Sequence, residues 1–226
     1  QNYEISRMTD RDCQPQDDVQ LAAIMVELQR SGCHNINLVT PTHVVPQILS
    51  ALPHAIKAGL HVPLVYNCGG YEQVESLRLL DGIVDIYMPD AKFWDGKSGA
   101  RYANAPDYPE KMRAALVEMQ RQAGDLQLDE GGLAERGLLV RHLLMPGGLA
   151  EARAIFGFLV REISPNCYVN IMDQYRPCGE AARQGDGGGR ISSNMLDQAI
   201  TAAKEAGLSR FDQRDMASLI RRLMLR

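Results

Sequence analysis

The 226-residue sequence predicts an α/β fold, a partial barrel of parallel strands wrapped by helices. Three observations carry this. Short apolar strands alternate about five times with helical stretches, the signature of βαβ units. The strands are apolar almost throughout; Ile83-Val84-Asp85-Ile86-Tyr87-Met88 is the clearest and suits burial on both faces. The strand ends, finally, are polar or marked by Gly and Pro: Thr40-Pro41-Thr42-His43, Asn67-Cys68-Gly69-Gly70, Asp90-Ala91-Lys92 and Gln174-Tyr175-Arg176-Pro177. In a parallel barrel those turns share one rim, where such folds carry their chemistry.

In chain order, Asp17-Asp18 caps a first helix that Gly32 stops. A strand follows at 35–39, then a helix to about Ala58, with Gly59 as its stop signal. Pro46 fits that helix's first turn, whereas Pro53 is expected to kink or split it. A strand at 62–66 and a helix from Tyr71 to Leu80 lead into the strand at 83–88. That strand is expected to stop at Pro89, which cannot donate to a ladder. A polar loop is expected over 93–109, then a helix from about Glu110 to Ala123. Next come a strand from Gly137 to Leu144, a helix from Leu149 to Ile163 and a strand at 168–172. Gly185 to Gly189 reads as a flexible loop, and 191–226 as a helical hairpin capped by Ser193 or Asn194. The whole chain, 1–226, reads as one domain.

Net charge is −4, from 24 basic and 28 acidic residues, so no basic field points to nucleic acid. No apolar run approaches the roughly 20 residues that span a bilayer. The N-terminus has no signal-peptide character and no initiator Met, which suggests a trimmed or partial chain. Five scattered cysteines read as reduced thiols and imply a cytoplasmic protein.

Among motifs, the glycine run lacks the spacing and the preceding strand of a nucleotide fingerprint. No His/Cys group has zinc spacing, and no nucleophile elbow exists. Ten methionines read as core filler except Met88, which directly precedes Pro89-Asp90. His54 and His61 read as surface residues. His43 and His142, at or near strand ends, are candidates for ligand contact. Asp90 and Lys92, two residues apart, project from one side of an extended chain and place a carboxylate beside an ammonium.

The ordered series Gln1-Asn2-Tyr3-Glu4-Ile5-Ser6, Gly32 through His43, Val65-Tyr66-Asn67, Val84 through Lys92, Val140-Arg141-His142-Leu143 and Gln174-Tyr175-Arg176-Pro177 resembles the radical SAM proteins related to pyruvate formate-lyase activating enzyme. The likeness is greatest to an uncharacterised homologue branch and weakens after Pro177. It implies a partial barrel holding a [4Fe-4S] cluster and S-adenosylmethionine (SAM). Reductive cleavage of SAM then gives a 5′-deoxyadenosyl radical, which in this group activates a glycyl-radical enzyme. By the resemblance Thr40, Pro41, Thr42 and His43 form the turn that meets the SAM amine. They depart from the Gly-Gly-Glu usual there. Asn67, Met88 and Asp90 match a monovalent-cation site near the SAM carboxylate, with which Lys92 pairs. Arg141 and His142 lie along the SAM, and Gln174 and Tyr175 flank the adenine. Implied partners are a reductant such as flavodoxin or ferredoxin and a protein substrate.

The family's CxxxCxxC cluster motif does not occur in the sequence. In relatives Gln-Asn-Tyr-Glu-Ile-Ser follows its last cysteine, so the first strand and cluster loop are expected to precede Gln1. The competing expectations are a non-catalytic barrel fragment and an α/β-barrel lyase with Lys92 as Schiff-base residue. Asp90 opposes the latter by favouring a protonated amine.

Overall fold

The computed structural model describes residues 14–177 and 191–212. Helix α1 (Asp18–Arg30) starts from a full capping box: Asp17 accepts from the Gln20 amide, and the Gln20 side chain accepts from the Asp17 amide. Then follow β1 (Ile36–Val39), α2 (Val45–Lys57), β2 (Leu64–Cys68), α3 (Val74–Arg78), β3 (Ile86–Pro89), α4 (Gly96–Ala103) and α5 (Tyr108–Ala123). The second half runs β4 (Gln127–Leu128), β5 (Ala134–Leu143), α6 (Leu149–Phe158), β6 (Tyr168–Met172), α7 (Ser193–Ala206) and β7 (Arg210–Phe211).

Among the described residues one sheet runs β1-β2-β3-β5-β6-β7, with every neighbouring pair parallel. Short β4 alone is antiparallel, folding back on the start of β5. The five strands expected from sequence are therefore parallel neighbours in one sheet. Every residue of β2 is buried, as its uninterrupted apolar character requires.

Side-chain alternation divides the sheet into two faces. Tyr66, Tyr87, Leu138 and Val140 join the main core with Met112, Leu116 and Met119 of α5 and Ile155 and Phe156 of α6. Val65 and Ile86, with Met88, Leu139 and Tyr168 beside them, form a separate inner cluster closed by Leu126. Continuing along the inner face toward the strand ends, the next positions are Asn67, Asp90 and Arg141.

Several expectations need correction. Pro53 does not split α2, which runs unbroken with Ala51, Leu52 and Ala55 buried around it. Packing against Ala22 and Met25 of α1 holds the helix together across the lost hydrogen bond. Pairing does not stop at Pro89 either. Asp90 donates its amide to the Cys68 carbonyl at 3.0 Å, and Ala91 donates to that of Arg141 at 2.8 Å. The Asp90–Arg141 bridge keeps the register of Ile86–Gly137 and Tyr87–Leu138, so Pro89 opens only a short gap in the β3–β5 ladder.

The loop expected at 93–109 contains α4, capped by Asp95, which accepts from the Lys97 amide. Its two glycines mimic a breaker signal. Gly99, however, is there for close approach, because a Cβ would sit 2.4 Å from the Ala105 carbonyl oxygen. Helix α3 starts only at Val74, since Gln73 is still extended. Ser192, not Ser193 or Asn194, caps α7 through the Met195 amide. After α7 the chain first adds β7, and the second helix of the expected hairpin falls in residues outside those described. The glycine run at 185–189 and residues 213–226 lie outside the described residues.

Candidate functional site

The C-terminal ends of β2, β3 and β5 bring Asn67, Asp90 and Arg141 together. Asp90 is bracketed: Lys92 Nζ lies 3.0 Å from its Oδ2, and Arg141 Nη2 lies 2.7 Å from its Oδ1. Asp90 is 8% exposed, whereas the Lys92 and Arg141 side chains are 34% and 22% exposed. One buried carboxylate thus steadies two half-exposed cations and leaves a net positive charge on the rim. Such a site favours an anionic group presented from solvent. Met88 is half-buried and stands in register with Asn67.

Two features missed in sequence clamp the loops that carry these groups. The buried Tyr108 hydroxyl shares its proton between the carbonyls of Gly69 (2.8 Å) and Asp90 (2.9 Å), and accepts from the Lys92 amide at 3.1 Å. It therefore ties the turn after β2 to the turn after β3. Gly70 permits that approach with φ +77°; a Cβ there would stand 2.1 Å from the Asp90 carbonyl oxygen. Nothing in the local sequence marks Tyr108.

The second missed residue is Glu72, which is 3% exposed. Its Oε1 accepts from Thr42 Oγ1 at 2.7 Å, and its Oε2 from the Tyr66 hydroxyl at 3.0 Å. Among the described residues no cation pairs with it. Burial raises its pKa above the usual carboxylate value, against the lowering effect of Thr42 and Tyr66. Burial pushes the neighbouring Cys68 thiol well up. A lone Glu following Gly69-Gly70-Tyr71 was the available signal. The turn that Glu72 holds is Thr40 to His43. Thr40 takes the left-handed conformation at φ 54°, strained for a β-branched residue, and donates its amide to the Asn67 carbonyl at 2.7 Å. Pro41 is buried, Thr42 half-buried and His43 exposed.

His142 is not brought to the inner face. It points the other way from Arg141, buried against Phe156 at 5.5 Å between ring centres. Its Nδ1 meets the Ala91 carbonyl at 2.6 Å, so Nδ1 carries the proton. Its Nε2 has no partner among the described residues. Burial lowers its pKa. With Lys92, Ser98 and Glu151 it lines a cavity of about 180 Å³. Gln174 and Tyr175 follow β6, with Tyr175 buried. A larger cleft, about 390 Å³, is lined largely by aliphatic residues such as Leu52, Ile56, Val62 and Ile83, away from the charged rim.

Among the described residues, no three His, Cys, Asp or Glu side chains converge as a metal site. Cys33 is exposed beyond α1, Cys68 is buried at the end of β2, and Cys167 is buried before β6. These residues do not fit an iron–sulfur cluster, which needs convergent thiolates. Cys13 and Cys178 lie outside the described residues. No described helix is long and apolar enough to cross a membrane.

No family model matches the chain. The uncharacterized protein MJ0674 of Methanocaldococcus jannaschii is 27% identical over 216 residues, which cover 92% of this chain. The chain spans 58% of the length of that curated relative. Among solved structures, a domain of pyruvate-formate lyase-activating enzyme from Bacteroides vulgatus matches with a TM-score of 0.56 at 12% identity. The match covers 79% of this chain and 98% of that domain. At that identity the likeness is one of fold: this chain shares the α/β architecture of an activating-enzyme domain, a parallel sheet wrapped by helices, as the sequence led us to expect.

Proposed function

We propose that this chain acts as one barrel unit that binds SAM, in a radical SAM protein related to pyruvate formate-lyase activating enzyme. The observation that supports this reading is the Asp90–Lys92–Arg141 triad at adjacent parallel strand ends. In this reading Lys92 and Arg141 receive the SAM carboxylate, and Asp90 fixes both cations in position. Asn67 and the Thr40-Pro41-Thr42-His43 turn lie on the amine side, while Gln174 and Tyr175 flank the adenine. When bound, SAM is the source of a 5′-deoxyadenosyl group.

The described cysteines do not fit a [4Fe-4S] cluster, which needs convergent thiolates. The reductant, flavodoxin or ferredoxin, and a protein substrate such as a glycyl-radical enzyme come by family analogy. A monovalent cation on Asn67, Met88 and Asp90 would have to share Asp90 with two cations already paired to it. A Schiff-base role for Lys92 would likewise require breaking its 3.0 Å pair with Asp90.

Calorimetric titration with SAM tests the proposal. Lys92→Ala and Arg141→Ala are expected each to weaken binding by about one to two decades, the worth of one charge-assisted contact. Asp90→Ala should also weaken it, by freeing the two cations from their fixed geometry. Unchanged SAM affinity in all three folded variants would remove the triad from the site.

A further inference from the structure

His142 keeps an unused lone pair in a buried place. Its Nδ1 proton is committed to the Ala91 carbonyl at 2.6 Å, so Nε2 can only accept, and among the described residues nothing donates to it. An unmet buried acceptor is costly unless a partner is supplied. The ring borders the cavity of about 180 Å³ on the helix side of β5, together with Ser98 of α4 and Glu151 of α6. Those two groups are spent as donors as well. Ser98 Oγ gives its proton to Glu151 Oε1 at 2.5 Å and keeps lone pairs only. Glu151 Oε2 takes the amides of Trp94 and Asp95 at 2.6 and 3.0 Å, which leaves Oε1 room for one further donor. No cation pairs with Glu151 among the described residues; Lys92, at the edge of the same cavity, is paired with Asp90 at 3.0 Å. The positive end of α6 also borders the cavity and is offset in part by Glu151 in its own first turn.

An imidazole nitrogen, a hydroxyl and a carboxylate thus present three acceptors and one negative charge to one small space. A primary ammonium offers three donors and one positive charge. Phe93, Leu143 and Met145 complete the wall with apolar surface, which suits a short hydrocarbon chain behind the nitrogen. We propose that this cavity is a separate binding site for a small primary amine, held as its ammonium by His142 Nε2, Ser98 Oγ and Glu151 Oε1. A metal ion is the competing occupant of such a donor set, but the volume and the apolar wall favour a ligand with a carbon body. The site does not depend on the SAM reading, because it lies behind the rim and uses none of Asn67, Asp90 or Arg141.

Propylammonium is the probe, followed by the ¹⁵N resonances of the His142 ring and by ligand-observed NMR titration. It is expected to saturate, and to shift Nε2 in the direction of a hydrogen-bonded nitrogen. Propanol and propionate, which carry the same chain with fewer donors or none, should bind about tenfold more weakly or worse. His142→Asn keeps a donor for Ala91 but lacks the Nε2 acceptor, and Ser98→Ala removes the hydroxyl. Each is expected to weaken propylammonium about tenfold, and Ser98→Ala carries the test if the His142 variant does not fold. Ser98→Ala should leave any affinity for SAM within twofold, so the two readings stand or fall separately. An unshifted Nε2, equal affinity for the three probes, or unchanged propylammonium affinity in the folded variants would overturn the site. Zinc binding that is lost in the same variants, with no response to propylammonium, would overturn it in favour of a metal.

Discussion

Tyr108 sets one hydroxyl against three backbone groups belonging to two different turns. Its ring is fixed by Phe93 edge-on at 5.4 Å and by Tyr71 stacked at 6.1 Å, so the hydroxyl has little freedom to seek other partners. Removing that one oxygen strands two carbonyls and an amide with little water access. Tyr108→Phe is therefore expected to cost about 1–3 kcal/mol in chemical denaturation. Since the Asp90 and Lys92 backbones are among the stranded groups, the same change should loosen the charged triad and, in the proposed reading, weaken SAM binding. A denaturation midpoint equal to that of the parent chain would mean the turns hold without the hydroxyl. Asp90 works in a similar way, with one carboxylate orienting two cations, Lys92 of the turn after β3 and Arg141 of β5.

At the scale of elements, proline is informative in two places. In α2 it occupies a helix interior, where it removes a hydrogen bond and crowds the preceding turn. The helix survives because its apolar face is locked against α1. Restoring the bond should then stabilise the protein: Pro53→Ala is expected to raise unfolding free energy by about 1 kcal/mol or more. A loss of stability on thermal unfolding would show instead that the proline ring is itself packed to advantage. In β3, Pro89 opens the ladder to β5 for a short interval, after which Asp90 and Arg141 meet again in the same register. The gap falls immediately before the two residues that form the ion pair.

For the molecule as a whole, pH dependence has a clear source in His142. Burial is the largest influence and disfavours its charged form, outweighing the Ala91 carbonyl, Glu151 and Asp90, which favour it. The unfolded chain binds the proton near the ordinary value of 6.5, the folded protein only at lower pH. The unfolded state therefore holds more protons in that window, so the stability is fully present above 6.5. It is lost as pH falls from there toward the folded value, by at most about 1.4 kcal/mol per pH unit. His142→Asn keeps a donor for Ala91 and does not titrate. Urea denaturation between pH 7 and 5 should show a flatter slope in that variant, and equal slopes would clear His142 of the effect.

Alternating short apolar strands and helices announced a parallel sheet and its five expected strands, because burial on both faces leaves a continuous apolar signature. The spacing of Asp90 and Lys92 likewise foretold one ion pair, since two residues along an extended chain share a side. What sequence could not supply was anything depending on which strands become neighbours. Arg141 reaches Asp90 only because β5 pairs with β3 across more than fifty residues of chain. Glu72 and Tyr108 stand in stretches without periodicity, and their roles exist only once the turns after β1, β2 and β3 converge. His142 adjoins Arg141 in sequence yet faces the helices, a separation set by strand register. Local pattern determined the elements, and the long-range pairing of their ends decided the site.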